Sequence, residues 1–138
     1  MGRRAVFADA ILEMMKMTNP KIFDELHDAY IIAVEVDHLS KIISLRLRLD
    51  TRIFTLIFDG ATRFLLTEML MQNIVYSISI LEPGSQDYVD AATKLETTYW
   101  KHELKGKQIA FLSASLGAEM YIEYDSVRKL MKNIQTME

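Results

Sequence analysis

The stretch KIISLRLRLD, residues 41–50, decides the fold because apolar and polar residues alternate strictly along it. On one side lie Ile43, Leu45, Leu47 and Leu49. On the other lie Ser44, Arg46 and Arg48. A period of two residues predicts a β-strand with one face on a core and the other toward water, which is typical of an antiparallel sheet.

Strand-like segments lie on both sides of this stretch, at residues 29–37, 51–59, 62–66, 72–82, 108–116 and 118–124. Most are separated by short connections, so neighbours along the chain are expected to pair. The sequence therefore predicts an α+β fold: an antiparallel meander sheet of about six to seven strands, with helices packed on one face.

Helical spacing of apolar residues appears in three places. Residues 5–17 form a Met-rich amphipathic pattern, Asn19-Pro20 then restarts a short helix to residue 28, and Ser85 caps a helix over 86–105. The C-terminal run DSVRKLMKNI, residues 125–134, is predicted as a short helix behind an Asp125-Ser126 cap, with a continued strand as the alternative. We expect one domain over 1–138, with a helical segment at 1–28 and a sheet over 29–125 that contains the inserted helix 86–105.

Composition excludes several classes of protein. The 138 residues are 50% hydrophobic and 25% charged, a globular balance, and the absence of cysteine excludes disulfides and cysteine-ligated metals. A net charge of −3 argues against a general nucleic-acid binder. No apolar run approaches the roughly 20 residues of a membrane span, and the N-terminus lacks a signal-peptide pattern. We expect a cytoplasmic protein without direct nucleic-acid or membrane contact.

Motifs for catalysis are missing from the sequence. His27, His38 and His102 stand at no metal-binding spacing, and the glycines form no phosphate-binding loop. The segment SASLG, residues 113–117, lacks the first glycine of a nucleophile elbow. We therefore predict no catalytic, cofactor-binding or metal-binding residue and no enzymatic activity.

The segment LIFDGATRFLL, residues 56–66, contains an Asp-Gly pair between apolar runs. Such a pair is a strong turn signal because glycine adopts a positive φ without steric cost. No partner for Asp59 as a general acid or base is evident from the sequence. We interpret Asp59-Gly60 as a turn or bulge, within a hairpin whose Phe58, Gly60 and Phe64 organise the sheet.

Charged residues fall into two groups. The basic ones, Lys41, Arg46, Arg48, Arg52 and Arg63, are expected on a solvated sheet face, since no aromatic residue lies between them as in nucleic-acid platforms. The acidic group consists of Glu35, Asp37, Glu119, Glu123 and Asp125. These carboxylates either protect an exposed sheet edge from aggregation or form a patch for a basic partner.

Three features resemble small bacterial immunity proteins of contact-dependent growth inhibition and related polymorphic toxin systems. They are the Phe58-Gly60-Phe64 segment, the Gln72-Asn73 pair that opens the next strand, and the last hairpin with Leu116, Gly117 and Glu119. The resemblance spans about residues 28–125.

The resemblance implies a function in binding. Proteins of this kind occlude the active site of a cognate toxin domain, often a nuclease with a basic surface. The acidic patches would then make the contacts. Two alternatives stay open: an enzyme with a small-molecule pocket between helix and sheet that uses Asp59, His38 or a tyrosine, and a non-catalytic assembly or adaptor subunit held by the first helix.

Overall fold

The computed structural model describes residues 20–96 and 107–134. A 3-10 helix, Pro20–Leu26, comes first. The strands are β1 (Tyr30–Asp37), β2 (Ile42–Leu49), β3 (Arg52–Asp59), β4 (Arg63–Thr67), β5 (Ile74–Ile80), β6 (Gln108–Leu116), β7 (Glu119–Tyr124) and β8 (Ser126–Asn133), and the helix α1 (Gln86–Glu96) lies between β5 and β6. The predicted helix at 5–17 and the end of the predicted helix 86–105 lie outside the described residues.

All strand pairs are antiparallel, which confirms the predicted class of sheet. The described part of the chain forms a sheet of eight strands, in the order β4-β7-β6-β5-β1-β2-β3-β8, where six to seven were expected. A single meander is also wrong. Two short meanders, β1-β2-β3 and β5-β6-β7, are joined by pairings between residues that are far apart in sequence.

The Asp59-Gly60 step lies within a long bent strand. Gly60 has a positive φ of 67°, and β3 and β4 do not pair with each other. Instead, β3 pairs with β8 and β4 pairs with β7, while β7 and β8 are themselves separated by Asp125 alone. The predicted hairpin is therefore wrong, whereas a turn at Gly60 agrees with the prediction. The chain from β3 into β4 is one bent segment, and it pairs with a second bent segment formed by β7 and β8. Since β4 and β8 are the two ends of the strand order, this pairing brings the ends of the sheet together.

Within the closed sheet, β1 and β5 are the neighbouring strands with the least pairing. Tyr30 and Ile74 are the one Cα pair between these strands among the described residues. Backbone hydrogen bonds from Ile31 to Asn73 and from Val75 to Ala29 support the pairing at this end. Within the described ranges, no residue of the second half of β1 pairs with a strand on this side.

The interior of the sheet is the main core. Alternation along β2 and β3 is as predicted, with Leu45, Leu47, Phe54 and Leu56 each at most 1% exposed. Along β1 and β5 the strict alternation of buried and exposed residues is interrupted, because β-bulges shift the register of both strands. Ile31 is consequently buried while Ile32 is 46% exposed, and Val75 is buried while Tyr76 points outward.

The helical elements pack on opposite sides of the sheet, which corrects the prediction of helices on one face. The 3-10 helix inserts Ile22, Phe23 and Leu26 into the main core. Helix α1 instead lies on the outer face, where Ala91 and Leu95 contact a second apolar cluster around Ile109 of β6. The Ser85 hydroxyl accepts a hydrogen bond from the Tyr88 amide, as a helix N-cap does.

The C-terminal run forms strand β8, so the helix predicted for it is wrong and the strand alternative is right. Its eight residues pair with β3 in unbroken register from Ser126 to Asn133. Lys129 points inward with only 8% exposure, and its ammonium donates hydrogen bonds to the Ile22 carbonyl and the Glu25 carboxylate. This buried lysine thereby anchors the 3-10 helix to the far end of the chain.

Candidate functional site

The predicted acidic residues divide into two groups in the structure. Glu35 and Asp37 lie on β1, whereas Glu119, Glu123 and Asp125 lie on or directly after β7. Strands β5 and β6 separate β1 from β7 in the sheet. The five carboxylates therefore do not form one continuous patch.

Glu35 and Asp37 are both exposed at the end of β1. Asp37 Oδ1 accepts hydrogen bonds from the backbone amides of Leu39 and Ser40, each at 3.1 Å. These bonds close the turn into β2. Hydrogen bonds from Ser40, through its side chain first and its backbone second, lower the pKa of the Asp37 carboxyl, so Asp37 is charged over the physiological range.

Exposed apolar side chains lie beside these carboxylates. Leu39 at the tip of the turn is 88% exposed and Val36 is 56% exposed. A concave surface of about 450 Å³ opens next to them, and Glu35, Asp37 and His38 are among its lining residues. The β1–β2 tip, defined as residues 35–39, thus combines negative charge with exposed apolar area.

Glu123 occupies a different environment from the one predicted. Neither its side chain nor that of Arg63 is exposed, and Arg63 Nη2 lies 3.2 Å from Glu123 Oε2. Strand β7 pairs with β4 on one side and with β6 on the other, so it is not a sheet edge. Both predicted roles of Glu123, edge protection and partner contact, require exposure and are therefore wrong for this residue.

The other two acids near β7 remain accessible. The Asp125 carboxylate is 61% exposed and forms an ion pair with Lys107 at 2.9 Å. Glu119, at the start of β7, is half-buried and lies close enough to Lys94 of α1 to act on its charge. Glu119 therefore belongs to the surface around α1.

Asp59, the carboxylate of the enzyme alternative, is held in a bidentate ion pair. Arg128 Nε donates to Asp59 Oδ2 at 2.7 Å, and Arg128 Nη2 donates to Oδ1 at 3.1 Å. The pair joins neighbouring strands, β3 and β8. Its geometry indicates a structural role, and Asp59 lines none of the three surface concavities described for residues 20–96 and 107–134.

From the sequence, the largest of these concavities was expected only as the helix–sheet pocket of the enzyme alternative, with an unspecified tyrosine as its one correct lining residue. It is a groove of about 650 Å³ between α1 and the outer faces of β5, β6 and β7. We call it the helix–sheet groove; its residues are Tyr76, Ser77, Ser79, Leu81, Asp87, Asp90, Thr93, Lys94, Phe111, Ser113 and Tyr121. The sequence contained one indication of the groove: in β6, Phe111 lies at the same parity as Ser113 and Ser115, which places an aromatic ring on the outer face.

The groove lies where the enzyme alternative placed a pocket. Of the residues named for that alternative, tyrosines line the groove, whereas Asp59 and His38 do not. Within the described ranges, no group of three or more histidine, aspartate or glutamate side chains is arranged to hold a metal ion. None of the helices described there is long and apolar enough to cross a membrane.

The fold and these surfaces define a predominantly antiparallel β protein with two candidate binding regions, the β1–β2 tip and the helix–sheet groove. No protein-family model matches the sequence, and no curated protein matches it.

Proposed function

We propose that this protein is an immunity protein that binds a cognate toxin domain, a nuclease, and neutralises it by occluding its active site. The observation that supports this most is the composition of the β1–β2 tip. Two exposed carboxylates, Glu35 and Asp37, flank exposed Val36 and lie next to Leu39. An apolar centre with a polar rim is the usual anatomy of a protein–protein contact surface.

Charge explains why a nuclease is a suitable partner. An enzyme that grips nucleic acid needs a positive surface against the phosphates. Carboxylates placed on that surface would speed association and exclude substrate at the same time. The ordered turn at Asp37 adds to affinity, because a preformed tip loses little conformational entropy on binding.

Neutralisation of the toxin encoded next to this protein is the direct test. Cells that express the toxin domain should survive when the protein is co-expressed, and the purified pair should associate in the nanomolar range. Excess nucleic-acid substrate should compete with this association if the active site is occluded. A toxin that kills equally well with and without the protein would exclude the proposed function.

Variants at the tip test the surface separately. Glu35→Lys should slow association, most strongly at low salt, and Leu39→Ser should speed dissociation, each weakening binding by about tenfold or more. Glu82→Lys makes the same charge change at an exposed site away from the tip and is the matched control. If the control weakens binding as much as Glu35→Lys does, the tip is not the contact surface.

A further inference from the structure

The helix–sheet groove has an aromatic floor. Phe111 of β6 and Tyr121 of β7 are cross-strand neighbours on the outer face, and their rings stack with centroids 4.7 Å apart at an interplanar angle of 26°. Ser79 of β5 pairs with Phe111, so the floor continues from the aromatic rings onto a hydroxyl-bearing strip. Flat aromatic area beside hydrogen-bonding groups is typical of a recognition site.

The groove already holds one cation, which comes from the chain itself. Lys94 Nζ lies 5.3 Å from the centroid of the Tyr121 ring and 3.3 Å from the Tyr121 hydroxyl. Tyr121 has the largest effect in raising the pKa of Lys94, and the charges of Glu119 and Asp90 raise it further. Positive charge is therefore stabilised at this position by both an aromatic face and carboxylates.

One ammonium does not balance the carboxylates. Asp87 and Asp90 line the helix side of the groove, and Glu119 lies near Lys94 from the strand side. Asp90 accepts a hydrogen bond from Gln86, while the Asp87 carboxylate has no hydrogen bond or ion pair within residues 20–96 and 107–134. Among the residues that the structure describes, three carboxylates against one ammonium give the groove an excess of negative charge, with acceptor capacity unused.

We propose that the helix–sheet groove binds an arginine side chain presented by an extended segment of a protein partner. A guanidinium is planar, stacks on aromatic faces and donates several hydrogen bonds in a fixed geometry, so it uses the aromatic floor and the carboxylate side together. The groove of about 650 Å³ is much larger than one side chain, which leaves room for the backbone on either side of the arginine.

This site is independent of the proposed function. It lies on the outer face of β5–β7, whereas the β1–β2 tip lies at the end of β1. Peptide probes test the groove without any toxin. If a peptide probe binds, the groove proposal stands even when toxin neutralisation fails. If no probe binds, the proposed function at the β1–β2 tip is unaffected.

The experiment is a titration of the ¹⁵N-labelled full-length protein with three short peptides that differ at one central position between glycines. The central residue is arginine, lysine or citrulline, and citrulline keeps the shape of arginine without its charge. We expect shifts at the amides of Asp90, Lys94 and Tyr121 with the arginine peptide. Lysine should bind several-fold more weakly, and citrulline at least about tenfold more weakly.

Variants should shift affinity in opposite directions. The double change Asp87→Asn with Asp90→Asn removes two carboxylates from an exposed helix face and should weaken the arginine peptide about five- to tenfold. Lys94→Met removes the competing cation and should strengthen it severalfold. Glu96→Gln removes a charge from the same helix outside the groove and is the matched control.

The proposal is overturned if the arginine peptide causes no shifts at millimolar concentration. Equal affinity for the arginine and citrulline peptides would also overturn it. The proposal is also overturned if the double aspartate variant binds the arginine peptide with unchanged affinity, or if Lys94→Met weakens that binding. Circular dichroism of each variant distinguishes loss of the site from loss of the fold.

Discussion

Arg63 and Glu123 form an ion pair with no exposed side-chain surface, directly across from each other on β4 and β7. Arg63 Nε and Nη2 each lie 3.2 Å from a different oxygen of the Glu123 carboxylate. The Thr62 hydroxyl donates a further hydrogen bond to Glu123 Oε1. Since both charges have lost their hydration, each depends on the other.

Replacing Glu123 alone should therefore be costly. Glu123→Gln leaves the Arg63 guanidinium buried without its counterion, and we expect the free energy of unfolding to fall by about 3–5 kcal/mol. Urea denaturation measures it. Glu119→Gln removes a half-buried carboxylate from the same strand and should change stability by less than about 1 kcal/mol. Similar losses in the two variants would mean that the ion pair is not buried as described.

Burial of Tyr124 gives an expected pH dependence. Its hydroxyl has no hydrogen-bond partner among the residues that the structure describes, and burial raises its pKa above the ordinary value of 10.0. The unfolded chain therefore loses this proton at a lower pH than the folded protein does. Stability linked to Tyr124 is complete below about pH 10 and falls as the pH rises further.

Tyr124→Phe tests this linkage. The variant removes an unsatisfied buried hydroxyl, so at neutral pH it should be as stable as the native protein or more stable by about 1 kcal/mol. Above pH 10 its stability should fall less steeply than that of the native protein. Denaturation series from pH 8 to 11 measure both effects, and parallel curves at alkaline pH would contradict the prediction.

Two glycines with positive φ provide a matched pair. Gly60 has a φ of +67°, and an added Cβ would lie 2.1 Å from the Asp125 carboxylate, whereas Gly84 has a φ of +88° with no atom within 4 Å of an added Cβ. Gly84→Ala should cost about 1–2 kcal/mol from backbone strain alone. Gly60→Ala should cost more, because the Asp125 side chain must also shift away from the added methyl group.

The Asp125→Gly variant separates the two contributions to the cost of Gly60→Ala, which are backbone strain and the steric clash with the Asp125 side chain. In that background the steric part of the Gly60→Ala cost should disappear and the backbone part should remain. Urea denaturation of the single and double variants completes the cycle. Equal costs for Gly60→Ala and Gly84→Ala in the native background would show that the close approach of Asp125 has no energetic effect.

Asn73 connects two loops through a buried side chain. Its Oδ1 accepts hydrogen bonds from the amides of Leu70 and Ala118, both at 2.9 Å, and its Nδ2 donates to the Leu70 carbonyl at 2.7 Å. Asn73→Ala should lower the free energy of unfolding by about 2–3 kcal/mol.

Amide hydrogen exchange locates that loss. Exchange at Ala118 should accelerate in Asn73→Ala by more than the global loss of stability explains, since the β6–β7 turn loses its partner. Asn73→Asp keeps the acceptor and should protect the Ala118 amide better than alanine does. An Ala118 amide that exchanges equally in both variants would exclude the proposed link.

Local patterns predicted most strand positions because the alternation of side chains is a property of neighbouring residues. Ile43 to Leu49 is an example in which parity alone identified the buried face. The same rule applied to β1 would place Ile32 in the core, but a β-bulge shifts the register after Ile31 and Ile32 is exposed. Bulges depend on the partner strand, and no property of β1 alone specifies them.

The candidate sites were less predictable for the same reason. Glu35 and Asp37 are exposed as an alternating strand end suggests, but Glu123 has the same alternation and is buried. Its burial follows from the pairing of β7 with β4 across 60 residues of sequence. The helix–sheet groove likewise requires Phe111, Tyr121 and α1 to meet, which only the packing of distant segments brings about.

By itself, the sequence determined an antiparallel, sheet-rich chain with a turn at Gly60, because strand periodicity and glycine φ preferences act within a few residues. The tertiary structure alone decided the closed strand order, the strand at the C-terminus, the burial of Glu123 and the position of the groove. Those features depend on contacts between segments far apart in the chain, where the free energy of burial and pairing outweighs local preference.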